Sequence, residues 1–70
     1  MDITEEQKQT LQGITIHNGT NAWKHVMQEK EEDRYWVALG ILSCVKNGYG
    51  LTILEINSEA RSIRSGRKKY

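Results

Sequence analysis

Apolar residues are spread unevenly along this chain, and their spacing predicts most of its elements. Between Asp33 and Gly48 lies the one long apolar stretch, Tyr35-Trp-Val-Ala-Leu-Gly-Ile-Leu-Ser-Cys-Val45. Wound at about 100° per residue, these side chains surround the axis and leave only a narrow gap at Gly40 and Ser43. A helix that is apolar on nearly every side must be covered on nearly every side. Asp33 reads as its N-cap, and Lys46-Asn47-Gly48 supplies a cation at the negative end of the helix dipole and a left-handed stop. Asn47-Gly48 is also a hairpin signal between Ile41–Val45 and Leu51–Ile56. A run of about twelve residues is long for a strand and ordinary for a helix, so the helix is preferred.

The flanking patterns are shorter. Thr4 and Gln7 form a capping box with Glu5 and Glu6 in the first turn, predicting a short N-terminal helix that ends near Gly13 with only Leu11 to bury. Ile14-Thr-Ile-His17 alternates and is β-branched, predicting a short strand before a turn at Asn18-Gly19. Thr20 reads as the next N-cap, and Ala22, Trp23, Val26 and Met27 mark one side of an amphipathic helix. Glu29 to Asp33 is a charged, solvated connection. Leu51-Thr-Ile-Leu-Glu-Ile56 has strand composition, Asn57-Ser-Glu59 a turn, and Ala60 to Ser65 a second, basic arm, predicting a C-terminal β-hairpin. The expected fold class is therefore α+β: residues 1–66 form one compact domain of a short helix, an amphipathic helix, a central apolar helix and the hairpin, and residues 67–70 form a mobile basic tail.

Size makes packing the central problem. Seventy residues are close to the lower limit for a core that folds unaided. No apolar run nears the ~20 residues needed to cross a bilayer. The polar, acidic start shows no leader pattern, so an intracellular, cytoplasmic setting is expected. In that setting the lone Cys44 offers no disulfide framework. The net charge of +1 conceals a division: residues 1–33 carry seven acids against three lysines, a net of −4, and residues 34–70 carry seven cations against two glutamates, a net of +5. Such segregation suits a basic binding tail or head-to-tail self-association.

Candidate chemistry is sparse. His17, His25 and Cys44 have no metal-ligand spacing, and Cys44 among Ile41, Leu42 and Val45 reads as a small core hydrophobe, not a thiolate nucleophile. Glu29, Glu31, Glu32 and Asp33 form a run better suited to water than to a desolvated acid–base pair. Gly48-Tyr49-Gly50 lies between helix and strand in the reverse of the order that cradles phosphates. No catalytic, cofactor or metal site is expected, and no small-molecule substrate.

Two binding readings remain. The central helix holds more apolar surface than one amphipathic helix and one hairpin can cover, so Tyr35, Trp36, Leu39, Gly40 and Ser43 are the expected protein interface, with a second copy as the simplest partner. Glu29, Glu31, Glu32 and Asp33 would face a basic surface on the partner. The alternative is a nucleic-acid-binding regulator that contacts phosphates through Arg61, Arg64, Arg67, Lys68 and Lys69. The favoured expectation is a small non-enzymatic regulator, inhibitor or adaptor that binds protein.

Overall fold

A computed structural model describes residues 2–70 and places them in four helices: α1 (Glu5–Gln12), α2 (Ala22–Gln28), α3 (Glu31–Asn47) and α4 (Ile53–Arg64). The fold is all-helical, which corrects the α+β expectation. The predicted C-terminal hairpin is α4. The strand expected at Ile14–His17 is an extended loop with one antiparallel bridge, Thr15 to Asn21, and the described residues contain no other β-pairing.

Three of the four helices begin at a side-chain cap. In α1 the capping box closes in both directions: the Thr4 hydroxyl accepts from the Gln7 N–H at 3.1 Å, and the Thr4 N–H donates to Gln7 Oε1 at 3.0 Å. Asn21, not Thr20, caps α2, accepting from the N–H groups of Trp23 and Lys24 at 3.0 and 3.3 Å. The Asn21 amide donates to the Gln12 carbonyl at 2.7 Å, so one side chain ties the end of α1 to the start of α2. Helix α3 starts earlier than expected, at Glu31 behind Lys30, with no side-chain cap. Glu31, Glu32 and Asp33 occupy its first turn, where the helix dipole favours negative charge. Gly48 ends α3 in the left-handed conformation at φ 72°, and the Tyr49 N–H reaches back to the Cys44 carbonyl at 2.8 Å.

Thr52 decides the C-terminal third. Its hydroxyl accepts from the Glu55 N–H at 3.1 Å and so caps α4. The Glu55 carboxylate in turn accepts from the Gly50 N–H at 3.0 Å and the Thr52 hydroxyl at 3.2 Å. The Thr52 cap satisfies the Glu55 N–H, one of the first-turn donors that has no partner within the helix, and the Glu55 carboxylate ties the loop at Gly50 to the helix start.

The central helix is enclosed as its sequence demands. All eight residues from Val37 to Cys44 are buried. The core draws Leu11 from α1, Ile16 from the loop, Ala22 and Val26 from α2, Ile41 and Cys44 from α3 and Ile56 from α4. The most extensive packing joins α3 to α4. At their crossing the backbones nearly touch: a Cβ at Gly40 would lie 2.8 Å from the Ile56 carbonyl oxygen and 3.0 Å from Ala60 Cβ. The gap in the apolar girdle of α3 is thus filled by α4 of the same chain.

Candidate functional site

The packing of α4 on α3 sorts the residues singled out in the sequence. Leu39, Gly40 and Ser43 are buried. Expected at an interface with another molecule, they instead lie inside the chain, and at Gly40 and Ser43 it is α4 that occupies the face they were to offer. Tyr35 and Trp36 remain half-buried, with their rings edge to face at a centroid separation of 5.0 Å.

Trp36 lines an open groove of about 170 Å³ between the start of α3 and α4. Val37 and Ala60 supply its other apolar lining. Glu29 and Asp33 stand on the α3 side, and Asn57, Arg61 and Arg64 on the α4 side. Arg64 and Asp33 form an ion pair at 2.9 Å, and the Arg64 guanidinium lies 6.0 Å from the Trp36 ring centroid. Residues that the sequence assigned to three separate surfaces, aromatic, acidic and basic, therefore meet along one groove. Glu31 and Glu32 are exposed on the first turn of α3 and do not line it.

A second cluster pins the C-terminus. Glu59, nearly buried on α4, accepts from the Ser43 hydroxyl at 2.7 Å and pairs with Lys68 at 2.8 Å. The Lys68 ammonium also donates to the Tyr49 hydroxyl at 3.2 Å and lies 4.7 Å from the centre of that ring. Asn47 donates to Ser43 Oγ at 3.2 Å, and Lys46 donates to the Tyr70 carbonyl at 3.1 Å. Residues 67–70 thus fold back toward the end of α3.

The Lys68 hydrogen bond, and then that of Ser43, hold the Glu59 carboxyl below its ordinary value of 4.5. The native state therefore binds a proton at Glu59 less readily than the unfolded chain does. The stability this contributes is complete above about pH 4.5 and is lost as pH falls through the lower folded value. Glu59→Gln should melt below the wild type at neutral pH, and the gap should close on acidification below that value. A melting-temperature gap that does not narrow at all as pH falls below about 4.5 would remove this role for Glu59.

Cys44 is fully buried, and burial, reinforced by Glu59 and Glu55, pushes its thiol above the usual value of 9.0. It stays protonated at neutral pH and packs as an apolar residue. His17 is exposed on the loop before α2. His25 is half-buried on α2, and its Nε2 has no hydrogen-bond partner among the described residues. No helix is long and apolar enough to cross a membrane among the described residues. No protein-family model matches the chain, and no curated protein or solved structure matches it.

Proposed function

We propose that this domain is a non-enzymatic binding module that acts through protein–protein contact and self-associates through the Trp36 groove. The observation that carries the reading is a half-buried tryptophan set between walls of unlike charge. Aromatic side chains that are accessible yet held in place make effective interface anchors. A two-fold axis along the groove would set Glu29 of one copy against Arg61 of the other, so the surface complements itself. The volume of about 170 Å³ is below the roughly 300–1,000 Å³ of sites that enclose small molecules, and it suits inserted side chains. The groups that could do covalent or acid–base work are otherwise engaged: Cys44 is enclosed, and Glu59 is held ionised by Lys68.

Sedimentation velocity over a concentration series tests this. A monomer–dimer equilibrium that weakens with salt is expected. Arg61→Glu and Glu29→Arg should each weaken it by about tenfold, equivalent to about 1.4 kcal/mol, and the double variant should recover most of the loss. Trp36→Ala should weaken it without salt-dependent recovery. The mass of a single chain at every concentration up to roughly 1 mM, where even a contact worth about 4 kcal/mol is populated, would end the self-association reading.

A further inference from the structure

We infer that the exposed face of α4 and the residues after it form a binding site for the phosphodiester backbone of nucleic acid, carried by Arg61 and Arg67, with the exposed Lys69 two residues further along the chain. The structure divides the seven cations of the basic half into two groups. Arg34 donates to the carbonyls of Glu29 and Met27 at the end of α2, Lys46 to the Tyr70 carbonyl, Arg64 pairs with Asp33, and Lys68 pairs with Glu59. Carboxylates of the chain thus neutralise Arg64 and Lys68, and carbonyls occupy donors of Arg34 and Lys46. Arg61, Arg67 and Lys69 are exposed and have no side-chain partner among the described residues.

Two of these three converge. Arg61 and Arg67 line a depression of about 420 Å³ together with Ser58, Ser62 and Ser65. The lining contains no carboxylate and no apolar side chain, only guanidinium groups and hydroxyls. The Ser65 hydroxyl is spent on the Ser62 carbonyl at 3.1 Å, and those of Ser58 and Ser62 have no partner among the described residues. Phosphate oxygens accept from both kinds of donor, and guanidinium forks suit them in particular. Arg67 is also held in place: its N–H donates to the Ser62 carbonyl at 3.0 Å, fixing the segment after α4 beside the helix face.

The site shares one residue with the groove and is separable from it by the others. Arg61 lines both, but Trp36 lines only the groove and Arg67 only the depression. A lipid surface presents phosphates too, but no apolar residue of the depression could enter it. Ile53 and Leu54, exposed at the start of α4, lie outside the lining of the depression.

Two or three phosphate contacts fix the expected salt dependence. The slope of log K against log salt for duplex DNA should lie between about −1.8 and −2.7, a loss of about 12- to 40-fold from roughly 50 to 200 mM salt. A labelled duplex oligonucleotide, followed by fluorescence anisotropy over that range, reads this directly. Arg67→Gln should make the slope shallower by about 0.9. Lys24→Gln, which removes an exposed cation on α2 remote in sequence from the depression, should leave it unchanged. Trp36→Ala should leave it unchanged as well, so failure here and failure of the groove reading are separable. Circular dichroism establishes that each variant stays helical. The inference is overturned if the duplex does not bind at roughly 50 mM salt, if Arg67→Gln behaves like Lys24→Gln, or if anionic phospholipid vesicles bind where the duplex does not.

Discussion

Gly40→Ala is expected to destabilise the domain by about 1–3 kcal/mol, although the same exchange at an exposed helical position stabilises by about 0.5–1 kcal/mol. The sign reverses because of what the new methyl group meets. It would come within 2.8 Å of the Ile56 carbonyl oxygen and 3.1 Å of the Ala60 backbone nitrogen. Both atoms belong to the backbone of α4, which cannot turn aside as a flexible side-chain end would. Relief requires α4 to move off α3, opening gaps around Ile56 and Ala60, and close-packed interiors tolerate such gaps poorly. Gly40→Val adds two more methyl groups at the same point and should prevent native docking of α4. Thermal unfolding is the measurement, with a fall in melting temperature of about 4–8 °C for each kcal/mol. A midpoint for Gly40→Ala equal to or above that of the wild type would show that the two helices are not in backbone contact.

The same crossing explains why the C-terminal third was misread from sequence. Leu51-Thr-Ile-Leu-Glu-Ile56 is rich in β-formers and follows Asn47-Gly48, and Asn57-Ser58 resembles a turn. Two signals pointed the other way. Thr52-Ile-Leu-Glu55 has the spacing of a capping box, and Ile53, Ile56, Ala60 and Ile63 recur at helical intervals of three and four. Three of those four are buried in the structure, and the fourth, Ile53, is 39% exposed. Local strand preference lost to a capped amphipathic helix with an apolar α3 to cover. The first three helices were legible, α1 from its capping box and α2 and α3 from their apolar spacing, and the errors there are shifts: Asn21 caps in place of Thr20, and α3 begins at Glu31 instead of after Asp33.

The candidate site was legible only in its parts. Trp36, Glu29, Asp33, Arg61 and Arg64 all stood out by chemistry, but a sequence does not show that residues 31 apart, such as Asp33 and Arg64, form one ion pair. That proximity follows from the antiparallel return of α4, which the hairpin reading removed. The cluster around Glu59 was missed for the same reason. Its polar members are ordinary surface types in the sequence, and Ser43 and Glu59 become partners only when α3 and α4 cross between Gly40 and Ala60. Treating all five C-terminal cations as equivalent was the matching error on the basic side, since Arg64 and Lys68 are neutralised within the chain.

Leu11→Ala should cost about 2–5 kcal/mol, a large share of the roughly 3.5–10 kcal/mol expected for a domain of this length. From sequence, α1 has a single apolar residue before Gly13 and looks marginal. In the structure that residue is fully buried, in the same cluster as Val26 and Ile41. Two outcomes are physically distinct. If α1 were an independent flap, losing Leu11 would let it fray, lowering helicity slightly and leaving the unfolding of α2 to α4 unchanged. The structure argues for the other outcome. Leu11 fills space that α2 and α3 also line, and Asn21 ties the Gln12 carbonyl to the first turn of α2, so the cavity weakens every helix that borders it. Unfolding followed by far-ultraviolet circular dichroism and by fluorescence of Trp23 and Trp36, which report on α2 and α3, should move together to lower urea. A tryptophan transition left at the wild-type midpoint while part of the helical signal is lost would show that α1 is dispensable to the core.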